Sequence, residues 1–252
     1  MSLRSVGLDE LEVRDVEAVR GIGVYEPLAQ RLRDDDYRFL VAAPEDRTED
    51  WARVLFLNLT YWNGEGDVLA EDAIAADVVA HVAWHHVIAH ALHPDGEPTV
   101  AALAFGEAVA SAFDVYLIGR NLQRGTDADL LHTAMPRLRE VALDAGLDDD
   151  EVDALFQAIA LDPDAAFENL RALLFDVTCA LVACDDVHGA VRVLDEVRGH
   201  RFAPFLHHFE VSNWVLHMQA RGRRDDDPAV TALDDALRAA SVSLDVLTER
   251  CL

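Results

Sequence analysis

Residues 72–120 read DAIAADVVAHVAWHHVIAHALHPDGEPTVAALAFGEAVASAFDVYLIGR. Two long runs of aliphatic and small residues are separated by the segment 93–96, whose Pro and Gly are typical of a turn. Both runs are predicted as buried helices. We expect Asp72 to cap the first helix and Pro98 to lie in the first turn of the second. Because the linker is so short, the two helices are predicted to pack as antiparallel neighbours.

The rest of the chain repeats this pattern. Apolar residues follow the helical period of 3.6 in almost every segment, and few segments alternate as strands do. Further helices are predicted over 48–62, 126–145, 148–161, 164–183, 187–197, 204–220 and 229–250, with one short strand at 37–42. The sequence therefore predicts an all-α, multi-helix bundle with a short irregular or strand-containing N-terminal segment. We expect a single domain over 1–252, with a soft internal boundary near 122–126.

The charge balance excludes several classes of function. Acidic residues number 47 against 21 basic ones, which gives a formal net charge of -26. Such a surface repels phosphate backbones and anionic lipids, so neither nucleic acid nor a membrane is expected as a partner. All basic residues are Arg, as in a bacterial-like protein encoded by a GC-rich gene. The lack of Lys excludes a P-loop lysine and Schiff-base chemistry.

The sequence also predicts the cellular location of the protein. Residues 1–20 contain no apolar run like that of a signal peptide, and no uncharged apolar stretch of the ~20 residues needed for a membrane span is apparent. The three cysteines, Cys179, Cys184 and Cys251, lack CxxC spacing and are interpreted as small core residues. We expect a cytoplasmic protein, with a homo-oligomer or a protein partner through its helical faces left open.

Four histidines on the first helix indicate chemistry. Side chains four residues apart lie one above the other on a helix, so His81 and His85 share one face, which Asp77 extends. His86 and His90 share a second face, rotated from the first because each residue turns the helix by about 100°. A single metal ion does not reach both faces, so the two pairs are competing candidate sites.

The second helix supplies acids at helical spacing. Glu107, Ser111 and Asp114 form one stripe, and a divalent ion such as zinc binds two imidazoles and a carboxylate well. We predict that His86, His90 and Glu107 hold zinc or another divalent metal. Asp114 is predicted to orient one of the imidazoles by a hydrogen bond.

These residues resemble a known active-site helix pair. The sequence HVIAH from His86 to His90, followed by GEAVASAFD with Glu107, is similar to the helix pair of gluzincin-type zinc metallopeptidases. The resemblance implies that His86, His90 and Glu107 match the three zinc ligands of that family. The general-base Glu of the family's HExxH motif is Val87 here, and valine does not accept a proton from metal-bound water. The resemblance therefore implies a degenerate member without peptidase activity.

Two other interpretations remain open. In the first, a C-terminal helix brings Glu210 together with His207 or His217 against the face of His81 and His85, as in the dinuclear sites of ferritin-like proteins, although the Glu-x-x-His motif of that class is missing. In the second, the protein is a non-catalytic helical scaffold whose histidines and acids form a structural hydrogen-bond network. No catalytic residue is assigned in any interpretation.

Overall fold

A computed structural model describes residues 2–46, 66–94, 96, 98–209 and 227–252. The helix predicted over 48–62 and most of the one predicted over 204–220 lie outside these residues. Helices dominate the described part, which confirms the predicted multi-helix fold with a strand-containing N-terminal segment. The α-helices are α1 (Val16–Arg20), α2 (Tyr25–Asp34), α3 (Ala76–Leu92), α4 (Val100–Arg124), α5 (Asp129–Asp144), α6 (Asp149–Leu161), α7 (Pro163–Val182), α8 (Val187–Val197), α9 (Pro228–Ala239) and α10 (Ser243–Cys251).

Short strands organise the N-terminal segment. They are β1 (Leu3–Val6), β2 (Glu12–Arg14), β3 (Phe39–Ala42), β4 (Val68–Leu69) and β5 (Ala73–Ala75). In one sheet, β3 lies between β1, which is antiparallel to it, and β4, which is parallel. In the other, β2 and β5 pair in parallel. The strand predicted at 37–42 is thereby confirmed at Phe39–Ala42.

The helix α4 is the centre of the molecule. It packs against α3 on one side and against α6 and α7 on the other. Its length and composition are those of a membrane span, which the sequence interpretation overlooked, but 89% of its most apolar window is buried inside the protein. Burial by neighbouring helices on this scale is the pattern of a core helix in a soluble protein.

The histidine helix α3 begins later than predicted. Asp72 does not cap it, because the chain first forms β5 and the N-cap position falls on Ala75. The Asp72 side chain instead pairs with Arg4. Since β5 is hydrogen-bonded to β2, the sheet fixes where α3 starts and hence the rotation at which its histidines enter the core.

A long-range cap begins α5. The helix predicted over 126–145 starts later, at Asp129, and its N-cap residue is Ala128, whose side chain makes no capping hydrogen bond. The backbone N–H of Asp129 instead donates to Oδ2 of Asp15 at 2.7 Å. Asp15 stands in the left-handed region, with φ 57°. The N-terminal segment is thereby joined to the start of the C-terminal helices.

The C-terminal helix is two helices. One continuous helix was predicted over 229–250, but α9 ends at Ala239 and α10 begins at Ser243. The backbone of Ala240 is extended, with ψ 150°, and Ser243 Oγ donates to the carbonyl of Leu237 across the break at 3.3 Å. The change of direction lets Leu237 and Leu247, at 0% exposure each, both enter the core.

A buried carboxylate holds the linker between α3 and α4. Asp227, the N-cap of α9, accepts hydrogen bonds at one oxygen from His93 Nε2 and from Thr99 Oγ1, each at 2.7 Å. Its other oxygen accepts from the backbone N–H groups of Ala229 and Val230. His93 is the C-cap of α3 and Thr99 is the N-cap of α4. This single side chain therefore holds together the two helix ends that the linker joins.

Candidate metal centre

The facing sides of α3 and α4 bring imidazoles and carboxylates together. His81 lies beside Asp114, and His85 lies beside Glu107. Numbering rises along one helix as it falls along the other, so the two helices are antiparallel, as the short linker predicted. The rest of this interface is apolar, with Trp84 and Phe113 in edge-to-face contact.

Glu107 is the most deeply placed acid of the cluster. Only 8% of the residue is exposed. Its Oε2 lies 3.1 Å from His85 Nε2, and its Oε1 accepts a hydrogen bond from Ser111 Oγ at 3.0 Å. Burial alone would raise the pKa of this carboxyl, but the hydrogen bond and charge of His85, the charge of His81 and the Ser111 hydroxyl outweigh it and hold the pKa at about 2. Glu107 is therefore ionised throughout the neutral range.

His81 is oriented by a second acid. Its Nδ1 donates to Asp114 Oδ2 at 2.9 Å, which leaves Nε2 for another partner. Burial lowers the pKa of His81, but the negative charge of Asp114 and the hydrogen bond to it dominate and raise the pKa to about 9. The rings of His81 and His85 are 5.0 Å apart between centroids. This is the orienting role that the sequence predicted for Asp114, although the imidazole is His81.

Three side chains can meet at one ion. Single ligand atoms of His81, His85 and Glu107 all lie within 4.8 Å of one another. Two donors that are each ~2.1 Å from a zinc ion at a tetrahedral angle stand about 3.4 Å apart. The 3.1 Å between His85 Nε2 and Glu107 Oε2 is within a few tenths of an ångström of that value. His85 and Glu107 thus stand at a separation that suits two ligands of one divalent ion, and His81 lies within 4.8 Å of both.

The structure places the two histidine faces of α3 against different neighbours. His86, a predicted ligand, donates from Nε2 to Asp35 Oδ2 at 2.8 Å and meets the edge of Tyr37 at 5.2 Å between ring centroids. Its ring stacks with that of His90, 6.3 Å away, and His90 is exposed. Within the described part of the chain, Glu107 groups with His81 and His85, whereas His86 and His90 do not form such a group with it.

The rotation of α3 decides which neighbours each face has. Both faces satisfy the same i, i+4 spacing, and the helix is apolar nearly all round, so periodicity does not rank them. The second face turns to α2, which ends beside Asp35. Asp35 is 51 residues from His86 in sequence, and no local pattern marks the two as partners.

The remaining predicted residues have different positions. Asp77, one helical turn before His81, is partly buried, and burial together with the charge of Asp114 raises its pKa to about 6. His207 is exposed. Glu210 and His217 lie outside the described residues, so the dinuclear interpretation that needs them stays a prediction.

One residue at the site escaped the sequence interpretation. A Cβ placed on Gly106 would lie at an ordinary contact distance of 3.6 Å from His85 Nδ1, so this imidazole turns its Nδ1 side towards Gly106 of α4. His85 thereby directs Nε2 towards Glu107. Sequence spacing does not mark this contact, because it depends on how α3 packs against α4.

Comparison of the chain with models of known protein families, with curated proteins and with solved structures finds no significant match.

Proposed function

We propose that the protein binds one divalent transition-metal ion through His81, His85 and Glu107. The observation that carries the proposal is the convergence of their ligand atoms within 4.8 Å, between two helices and beside a buried carboxylate. Two imidazoles and one carboxylate form a donor set that suits zinc and also Fe²⁺. Of these ions we expect zinc first, in agreement with the prediction from the sequence.

The groups around the three ligands support the proposal. In protein metal sites, an imidazole that binds through one nitrogen commonly donates its other N–H to a carboxylate, and ligating carboxylates are themselves hydrogen-bonded. Asp114 accepts from His81, and Ser111 donates to Glu107, in these two arrangements. Nε2 of both imidazoles and Oε2 of the acid would bind the metal, which would replace the proton now shared between His85 and Glu107.

Peptide hydrolysis is not part of the proposal. The pair His81 and His85 has the same HxxxH spacing as the pair that resembles the gluzincin motif. The residue after the first histidine is Val82 in one pair and Val87 in the other, and both valines are buried. Neither register places a general-base carboxylate where that family has its Glu, so metal binding is proposed without the family's reaction.

A structural hydrogen-bond network is the second candidate. The observation that favours it is pairing: Glu107 has partners in His85 and Ser111, and His81 has one in Asp114, with no metal needed. A buried acid that is paired in this way is stable in a core. The two candidates differ in metal content and in which substitutions change it.

The test compares three single variants of one helix pair. Protein purified without a His-tag is analysed for zinc, iron and manganese, and its zinc affinity is measured by competition with a chelator. We expect about one equivalent of metal in the native protein and a loss of affinity of at least about tenfold in His85→Ala and Glu107→Ala. His90→Ala is the matched control, because His90 lies on the same helix but is exposed and does not group with Glu107; it should keep native affinity.

Two results would contradict the proposal. One is less than about a tenth of an equivalent of metal together with no thermal shift on adding zinc, since an ion that binds the folded state must raise its stability. The other is an affinity that falls in His90→Ala and His86→Ala but not in His85→Ala. The first result leaves the structural network, and the second restores the ligand set predicted from the sequence.

A further inference from the structure

We infer that the metal centre keeps one coordination position for an exchangeable water, which a neutral oxygen- or nitrogen-donor molecule can replace. This inference rests on the proposed metal binding and adds the kind of site that it forms. Structural zinc sites are closed by four protein ligands, whereas sites that act on small molecules have three and an open position.

The three side chains offer the metal ion one donor atom each. Ser111 Oγ occupies one oxygen of Glu107 at 3.0 Å, so the carboxylate offers Oε2 alone. Asp114 likewise occupies Nδ1 of His81, and Nε2 is the nitrogen of His85 that faces Glu107, with Nδ1 on the side of Gly106. Each of the three side chains thereby offers one donor atom, and among the described residues no fourth ligand joins them, so a fourth tetrahedral position remains.

The histidine side of the site is more exposed to solvent than the side of Glu107. The side chain of Glu107 is 10% exposed, whereas those of His85 and His81 are 23% and 29% exposed. The carboxylate therefore closes the inner side of the cluster, and the imidazole edges reach the surface. A metal held between them faces solvent on the histidine side, where water exchanges with small molecules.

The acidic side chains around the site offset the charge of a bound metal ion. A divalent ion bound to ionised Glu107 has a net charge of +1, and Asp114 lies 2.9 Å from the His81 ring that binds it. Asp77 lies one helical turn before His81 on α3. The whole chain has a formal charge of -26. Among the described residues, these carboxylates offset the positive charge of the ion, so a neutral donor such as a carbonyl, hydroxyl, amide or imidazole group is favoured over an anion.

Cobalt substitution tests the inference. Co²⁺ replaces zinc in N/O sites, and its visible bands change when a coordination position gains or exchanges a ligand. Cobalt-loaded full-length protein is titrated with imidazole and, separately, with azide, and metal retained after gel filtration is measured at each point. We expect saturable spectral changes with bound cobalt constant, and an apparent Kd at least about fivefold lower for imidazole than for azide.

The variant Ser111→Ala tests whether Ser111 keeps the second oxygen of Glu107 away from the metal. In Ser111→Ala the second oxygen of Glu107 is released and competes for the open position, so the apparent Kd for imidazole should rise at least about threefold while cobalt stays bound. Ser241→Ala, which removes an exposed hydroxyl, is the matched control and should behave as the native protein.

The outcomes separate the two levels of the proposal. Bound cobalt with a spectrum that neither ligand changes means that the protein closes the site, which overturns this inference but leaves metal binding intact. Tighter binding of azide than of imidazole overturns the assignment to neutral donors. Failure of cobalt and zinc to bind at all removes both the proposed function and this inference.

Discussion

His81 and Glu107 show how individual residues acquire properties that their type does not fix. Both are surrounded by partners of opposite charge, so His81 keeps its proton up to a pKa of about 9 and Glu107 loses its proton down to a pKa of about 2. In each case burial acts against the charged form and the charged neighbour outweighs it. The residue types were visible in the sequence, but the identity of each neighbour depended on the packing of two helices.

The raised pKa of His81 predicts how the metal-free protein responds to alkali. Because the pKa in the folded state exceeds the ordinary value near 6.5, the His81–Asp114 pair stabilises the fold fully below about pH 6.5, and its contribution is lost as pH rises through about 9. Since the Asp114 side chain is 36% exposed, solvent screening reduces the effect to on the order of 1–2 kcal/mol. Urea unfolding in EDTA between pH 6 and pH 10 measures it.

His81→Gln is the matched variant for this measurement, because Gln keeps a hydrogen-bond donor for Asp114 but does not titrate. The variant should be less stable than the native protein at pH 6, and the difference should shrink by pH 10. An equal loss of stability in both proteins between pH 6 and pH 10 would show that other groups cause the pH dependence.

At the scale of elements, two glycines of α4 make opposite predictions. A Cβ on Gly119 would lie 2.7 Å from the carbonyl oxygen of Ile159, which is closer than side chains are found, so α4 and α6 can approach only because this residue is glycine. A Cβ on Gly106 meets nothing nearer than 3.6 Å. Gly119→Ala should therefore lower the free energy of unfolding by about 1–3 kcal/mol, whereas Gly106→Ala should raise it by up to ~1 kcal/mol through helix propensity.

Thermal and urea unfolding of the two variants check this pair. They carry the same chemical change on the same helix, so helix propensity is common to both and the difference isolates the contact with Ile159. If Gly119→Ala were as stable as Gly106→Ala, the close approach of α4 and α6 would not constrain the fold.

At the scale of the whole molecule, charge repulsion opposes folding. The 47 acidic and 21 basic residues leave a net charge of -26 on a chain of 252 residues, and compaction brings these like charges together. Salt screens such repulsion over a Debye length that falls from about 30 Å at 0.01 M to about 3 Å at 1 M. We expect the Tm to rise with NaCl, with the steepest rise below about 0.5 M.

The salt dependence distinguishes repulsion from local ion pairs. If attractive pairs such as Arg238 with Asp176 dominated, salt would weaken them and lower the Tm instead. Sucrose at matched water activity is the control, since it stabilises compact states without screening charge. A Tm that is flat or falls between 0.02 M and 0.5 M NaCl would contradict the expectation.

The sequence by itself determined the helical class, the strand near residue 40, the bounds of α6 and α8 to within a residue, and the antiparallel pairing of α3 with α4. These features follow from local signals: apolar period, N-cap residues such as Asp148, and linker length. It also placed Glu107 and Asp114 opposite the histidines. Local chemistry and chain connectivity were sufficient for all of these.

Only the tertiary structure decided which histidines meet Glu107. The faces of His81 and His86 have the same spacing on one helix, and their partners are fixed by the rotation that β5 imposes on α3 and by the position of α2 beside it. The cap of Asp15 on α5 and the break between α9 and α10 depended on distant contacts in the same way. Sequence periodicity records which residues share a face, but the free energy of packing selects the neighbour to which that face turns.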